Sequence, residues 1–379
     1  MRYIKKFETS EAVQTALNNQ ELGNPYVALV GNDIDWNSLE PEPDYSTIPL
    51  TFKITGDGYI NWKASNSANT KTIEYSKNDG DWTSITSTTE GVQIPVVSGD
   101  TVKFRGNNNS YTHNNEYNTF SGTTSNFKVK GNIMSLIDST DYVNMTSFPV
   151  YSSYNFYLFF WNCTTLTDAS ELVLPATTSV FGCYYNMFKG CTSLTTAPAL
   201  PATTLDNYCY QSMFDSCSSL TTAPELPATT LTNYCYYQMF QGCTSLTQAP
   251  VLPATTLADH CYSNMFQGCI SLTTAPELPA TTLATYCYSN MFQYCTSLTT
   301  APELPATTLA NYCYNSMFRN CSSLNYIKCL ATDISAISCT SNWVRSVQTT
   351  SGTFITPSTT QWSTGYDGIP SNWTRVDSE

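Results

Sequence analysis

The sequence predicts a mainly β protein with short helices, built from a small α/β piece, a β-sandwich and a stack of 26-residue coils. Three observations carry this fold class. A phrase such as "CYSNMFQGC" (261–269) recurs every 26 residues in the second half of the chain. Residues 51–130 alternate between apolar and polar side chains, and a short segment with helical spacing comes before them. The predicted segments are 1–45, 46–132, 133–347 and 348–379.

Composition excludes several classes of function. The net charge is −13 and only 12% of the 379 residues are charged, so nucleic acid, which needs clustered Lys and Arg, is not an expected partner. No apolar run approaches the roughly 20 residues of a membrane span, which argues against membrane insertion. The surface is instead rich in hydroxyls and aromatic rings, which suits contact with sugars or other proteins, although such a surface also serves plain solubility.

The N-terminal segment, 1–45, reads as a strand ("MRYIKKF"), a helix ("TSEAVQTALNN"), and a second strand and turn ("PYVALVGNDIDWN"). The stiff linker "LEPEPDYS" (39–46) follows. The basic start has no apolar core after it, so we expect no signal peptide. The opening "YIKKFET" resembles the short N-terminal pieces of structural and fibre proteins of phages that infect gut anaerobes. That resemblance implies an attachment tag for a virion structural protein, and the alternative is a capping segment.

Segment 46–132 predicts an Ig-like β-sandwich, because several short alternating runs follow one another closely. Asn78, Asp79 and Gly80 lie between two such runs and predict a hairpin. A carbohydrate-binding module would use Trp62 or Trp82 as a platform. The interpretation we favour places the tryptophans in the core of a spacer domain.

The repeat over 133–347 needs stacking to close a core, because each apolar position occurs once per coil. "SLTTAPEL" is expected to be extended, and "NYCYYQMF" (233–240) to form a short helical turn with Cys235 and Met239 on one face. Two cysteine columns keep the 26-residue period. They are Cys183, Cys209, Cys235, Cys261, Cys287 and Cys313, and Cys191, Cys217, Cys243, Cys269, Cys295 and Cys321.

These cysteines are interpreted as buried structural thiols. A catalyst needs one nucleophile and not a column of six, and no C-x-x-C pair has metal-ligand spacing. No metal and no cofactor is therefore expected. Disulfides remain the alternative, since stacked equivalents would lie about 5 Å apart, but parallel stacking points both side chains the same way, which is poor bridge geometry.

The unit "MFQGCTSLTQAPVLPATTL" resembles the BspA-like branch of leucine-rich repeats, with Met where that branch has Ala and a longer unit of 26 residues. The stretch "QWSTGYDGIPSNWTRVD" (361–377) is similar to the closing segment of the same proteins. The resemblance covers about 135–379 and implies a right-handed leucine-rich-repeat solenoid with adhesive or host-contact roles.

Enzymatic activity is not expected. His260 replaces Tyr in one column, and its neighbour Asp259 is adjacent in sequence without a third catalytic partner. Glu277 and Glu303 would lie near 5 Å across two coils, a spacing that superficially suits a retaining glycosidase. A repeated exposed column is more often a solvated face.

Two aromatic ladders are the candidate binding surface, and at least one of them is expected to be buried. The first is Tyr208, Tyr234, His260, Tyr286 and Tyr312, and the second is Tyr210, Tyr236, Tyr262, Tyr288 and Tyr314. The favoured function is a virion-associated fibre or decoration protein that lies on the virion surface. Its solenoid would bind a host-surface protein or glycan, and a homotrimer is the candidate oligomer. The alternative is a BspA-like adhesin on the bacterial cell surface.

Overall fold

The structure is a computed structural model that describes residues 3–7, 26–30, 43–113, 116–149, 152–347 and 350–378. In the N-terminal segment, strands β1 (Tyr3–Phe7) and β2 (Tyr26–Val30) pair in parallel, with Tyr3 opposite Tyr26. Both strands predicted there are present. The predicted helix and the first half of the predicted linker lie outside the described residues.

Two sheets make up the next part of the chain. A four-stranded sheet has the order β7-β4-β10-β9 and a six-stranded sheet the order β12-β11-β3-β8-β5-β6. Their strands are β3 (Leu50–Ile54), β4 (Gly58–Ala64), β5 (Thr72–Lys77), β6 (Thr83–Thr86), β7 (Val92–Val96), β8 (Thr101–Arg105), β9 (Thr112–His113), β10 (Glu116–Thr119), β11 (Phe127–Asn132) and β12 (Leu166–Val173).

Helices are few and short. The described residues hold single 3-10 turns at Tyr45–Thr47, Ser67–Asn69, Ile133–Leu136 and Tyr142–Asn144. Within the same residues no helix has the length and apolar character needed to cross a bilayer.

The hairpin predicted at Asn78-Asp79-Gly80 is present. It joins β5 to β6 in antiparallel register, and Asn78 and Asp79 have φ values of 53° and 58°, the left-handed conformation that these turns require. Trp62 lies in the core and its Nε1 donates to the Lys71 carbonyl at 3.0 Å. Trp82 is half-buried, with the Arg105 guanidinium 4.1 Å from its ring centre.

One aromatic core joins the two-sheet domain to the coils. Phe52 stacks on Phe127 at 4.4 Å, and Phe120 contacts both Trp62 at 4.8 Å and Phe159 of the first coil at 5.4 Å. Strand β11 also pairs in parallel with β12 of the first coil. The boundary predicted between 132 and 133 therefore falls inside a continuous core, and the sheets cover the open end of the stack.

Alternate backbone amides hold the coils together. In residues 208–217, the amides of Tyr208, Tyr210, Ser212, Phe214 and Ser216 donate to carbonyls of the next coil, at 2.7–3.2 Å. The intervening amides donate three residues back within the same coil. This is neither an α-helix nor a strand, so the short helix predicted at "NYCYYQMF" is wrong. Cys235 and Met239 share one face because the tight turns repeat every four residues.

Each of these turns contains a residue in the left-handed conformation, every fourth position along the segment. In one coil these are His260, Asn264 and Gly268, with φ values of 57°, 57° and 76°. Burial follows the same period: each turn begins with two buried side chains, and the next two are half-buried in most turns, although Ser263 is buried as well. Cys261-Tyr262 and Met265-Phe266 are thus buried pairs.

The extended segments add little pairing between most coils. Thr196, Thr222, Gln248 and Thr274 form single parallel bridges from coil to coil. A proline two positions after each of them lacks an amide donor. Within the described residues, a regular parallel sheet that joins successive coils lies at the C-terminal end, formed by β13 (Thr300–Leu304), β14 (Tyr326–Cys329), β15 (Gly352–Pro357) and β16 (Trp373–Ser378).

All fifteen cysteines are buried free thiols. In the second column each Sγ donates to the carbonyl of a phenylalanine in the preceding coil at 2.9–3.1 Å, as Cys269 does to Phe240. Burial raises the pKa of thiols in both columns, to about 12 for Cys209. A neutral thiol suits this place, because it fills an apolar site and still satisfies a buried carbonyl.

Replacing Tyr294 by Gly is expected to stabilise the protein. Tyr294 is 47% exposed and has a φ of 65°, at the position that Gly242 and Gly268 occupy in the preceding coils. The left-handed conformation costs a residue with a Cβ about 1–2 kcal/mol, and glycine removes this cost. Glycine loses more conformational entropy on folding, which offsets part of the gain in stability. We expect about 0.5–1 kcal/mol of added stability in denaturant unfolding. Gly268→Ala is the reverse change and serves as the control, which should lower the free energy of unfolding. A lower free energy of unfolding for Tyr294→Gly would contradict the expectation.

Candidate binding surface

The second predicted ladder is buried and cannot line a binding surface. Tyr210, Tyr236, Tyr262, Tyr288 and Tyr314 are each 1% exposed. Their rings stack 5.8–6.1 Å apart, and burial raises the pKa of each well above its ordinary value. The reason is the turn geometry, which directs both the cysteine and the tyrosine after it inward.

The first predicted ladder is half-exposed, and we name it the outer ladder: Tyr208, Tyr234, His260, Tyr286 and Tyr312. Successive ring centres lie 4.9, 4.5, 4.5 and 4.4 Å apart, with planes within 10° of parallel. Each ring therefore covers the faces of its neighbours. Solvent meets a row of ring edges and phenol hydroxyls, interrupted by one imidazole.

The outer ladder occupies backbone positions that disfavour large side chains. All five residues have φ between 57° and 61°, and Gly182 and Ser338 stand in the same column at 59° and 49°. The left-handed conformation costs about 1–2 kcal/mol per residue, and each stacked aromatic pair stabilises the structure by about 0.5–1.5 kcal/mol. Stacking thus roughly offsets the backbone cost, and glycine or asparagine would satisfy the fold alone.

A column of Asn and Asp next to the outer ladder fixes its spacing. The side-chain oxygens of Asn207, Asn233 and Asp259 each accept a hydrogen bond from an amide one coil further on, at 3.0–3.1 Å. This column of Asn and Asp was not among the residues predicted from the sequence. Its signal was the Asn or Asp that stands directly before most of the ladder tyrosines.

The exposed aromatic surface continues beyond the outer ladder toward the two-sheet domain. Phe181 contacts Tyr208 at 5.1 Å and Tyr154 at 5.3 Å. Tyr157 then approaches Tyr117 of β10 at 6.0 Å, and Trp161 approaches the same ring at 5.8 Å. These junction contacts are near-perpendicular, at 88° and 80°, so the rings there are not stacked face to face as in the outer ladder. The repeat pattern gave no signal for this extension.

At Tyr234, His260 and Tyr286 of the outer ladder, the surroundings favour the uncharged side chain. Packing of the neighbouring rings desolvates the Tyr234 and Tyr286 hydroxyls and raises the pKa of each. Partial burial lowers the pKa of His260, opposed by the smaller effect of Asp259. The surface therefore offers neutral hydrogen-bonding groups and apolar ring edges.

The remaining candidates from the sequence, Glu277 and Glu303, lie on the outer surface of the coils. Glu277 and Glu303 are exposed, and Glu303 pairs with Lys328 at 2.9 Å. A shallow groove of about 200 Å³ between two coils is walled by threonines, Ala and Pro302, with no titratable side chain. In the described part of the chain, no three His, Cys, Asp or Glu residues gather as metal ligands would.

Comparison with known proteins bears on the repeat alone. Residues 157–299 and 235–343 match the sequence profile of the BspA type leucine rich repeat region, in six copies. Residues 157–343 are thus similar to BspA-type leucine-rich repeats. The matched ranges span 157–343, just under half of the chain. No curated protein and no solved structure matched. The resemblance of the repeat unit is confirmed, whereas that of the N-terminal segment to phage proteins stays a prediction.

The His260 imidazole is expected to titrate below pH 6.5, the value of an unperturbed histidine. The unfolded chain then binds the proton more readily than the folded one, so stability should fall as pH drops from about 6.5 through the lowered pKa. NMR titration, with His260→Gln to assign the resonance, measures the midpoint. A midpoint above 6.5 would mean that cation–π contact with Tyr234 and Tyr286 outweighs desolvation.

Proposed function

We propose that the protein is a non-enzymatic, adhesin-like binding protein whose outer ladder contacts glycans on a host surface. In this proposal the stack of coils is a right-handed leucine-rich-repeat solenoid, and the two-sheet domain is an Ig-like sandwich. The observation that carries the proposal is the row of half-exposed rings held in a costly backbone conformation. Local strain of this kind is concentrated at functional positions.

Repetition sets the type of binding. Five near-equivalent rings at 4.4–4.9 Å offer many similar weak contacts and no single deep pocket. Such a surface binds an extended or multivalent target by avidity. Because the ring faces cover one another, the contacts available are hydroxyl hydrogen bonds and ring edges. Polysaccharides present hydroxyls and C–H groups at regular spacing and are chemically suited to it.

Tyr286→Asn is expected to weaken binding at least tenfold with little effect on folding. Asparagine tolerates the left-handed conformation, as Asn264 and Asn290 already do in neighbouring turns, while the ring and hydroxyl are lost. The matched control is Tyr294→Asn, another exposed left-handed tyrosine that lies outside the outer ladder. The measurement is binding to a printed oligosaccharide array, with unfolding followed in parallel. Equal loss in both variants, or no glycan bound by the unmodified protein, would reject the proposal.

The attachment site belongs to residues 1–45, with a virion structural protein as partner and oligomerisation to a trimer as an amplifier of avidity. The resemblance of "YIKKFET" supports this assignment, and a bacterial cell-surface location is the alternative. Mass spectrometry of purified phage particles and of the envelope fraction of producing cells separates them. We expect peptides of this protein in the particles, and recovery from the envelope alone would rule out the virion assignment.

A further inference from the structure

A cleft of about 180 Å³ lies where the four-stranded sheet meets the first coil. Alternate residues of two paired strands form its floor, since Thr119 of β10 stands opposite Lys63 of β4 and side chains two apart share one face. Trp161 of the first coil forms its wall. The side chains that matter are Lys63, Ser65, Tyr117, Thr119, Ser121 and Trp161.

The aromatic rings of this cleft differ from those of the outer ladder. Trp161 meets Tyr117 at 80° with ring centres 5.8 Å apart, so these two rings are not stacked face to face as those of the outer ladder are. Trp161 and Tyr117 are both half-buried, and burial raises the Tyr117 pKa, which keeps its hydroxyl neutral. A half-buried indole beside a neutral phenol suits a pyranose ring, which has an apolar face and polar rim.

Among the described residues, Lys63 is the one charged residue that lines the cleft, in a chain whose net charge is −13. Within the described residues its ammonium group forms no ion pair, whereas Lys77, Lys103, Lys128, Lys189 and Lys328 each contact a carboxylate. None of the described residues that line the cleft carries a carboxylate. Ser65 Oγ accepts from the Tyr117 amide at 2.8 Å and keeps its own proton for a ligand. An anionic ligand with hydroxyls matches this set.

We propose that the cleft binds one acidic sugar residue, a pyranose bearing a carboxylate. The ring would lie against Trp161, the carboxylate would meet Lys63 Nζ, and the hydroxyls of Ser65 and Ser121 would contact the ring hydroxyls. The assignment rests on the proposed function only in placing the rest of the glycan along the aromatic surface that leads to the outer ladder.

Titration calorimetry of the full chain with glucuronate and with glucose tests the assignment. We expect glucuronate to bind about tenfold more tightly than glucose, from a charge-assisted hydrogen bond. Lys63→Gln should remove that preference and Lys63→Arg should largely retain it. Trp161→Ala should weaken both sugars. Lys53→Gln, an exposed lysine on β3 outside the cleft, is the control and should change neither.

Three results would overturn the inference: no preference for glucuronate, a preference that survives Lys63→Gln, or displacement of glucuronate by acetate at equal concentration, which would mean a bare anion site. Tyr286→Asn separates this inference from the proposed function. If array glycans still require Tyr286 while glucuronate fails to bind, only the cleft assignment fails. If glucuronate binding depends on Lys63 while Tyr286→Asn leaves glycan binding on the array unchanged, only the proposed role of the outer ladder is rejected.

Discussion

The alternation of backbone amides is the constraint on which the rest of the structure depends. Every second amide of the turn segment crosses to the next coil, and the others close turns within their own coil. This pattern satisfies the buried backbone without an α-helix or a continuous sheet. It also requires a left-handed residue at every fourth position, and it directs side chains inward and outward in pairs. The core columns and the outer ladder both follow from that geometry.

Inside the stack, each column packs against copies of itself. Phenylalanine rings from Phe188 to Phe318 lie 5.5–5.8 Å apart and within 11° of parallel. A side chain that fits one coil therefore fits the next, which favours near-identical repeats. The thiols of the second cysteine column fit the same rule because each has a phenylalanine carbonyl at the same place in the preceding coil.

The same geometry explains why tyrosine and histidine in the outer ladder point to a binding function. Where no core packing is required, left-handed positions accept Gly, Asn or Ser, as Gly242, Asn264 and Ser346 show. Tyrosine and histidine in the outer ladder depart from that preference. The two-sheet domain adds a second surface, because sharing its aromatic core with the first coil brings β4 and β10 against Trp161. The long neutral ladder and the cationic cleft are thus parts of one continuous aromatic surface.

The sequence alone determined the 26-residue period, the inward cysteine columns, the Asn78-Asp79-Gly80 hairpin and the mainly β class, because each depends on local pattern or regular repetition. It left undecided which tyrosine ladder faces solvent, and it predicted a helix where four-residue turns occur, since Cys235 and Met239 share a face in either structure. Only the tertiary structure decided these points and the continuity across residues 132 and 133. The deciding hydrogen bonds join residues about 25 positions apart, and no local pattern records which amide makes them.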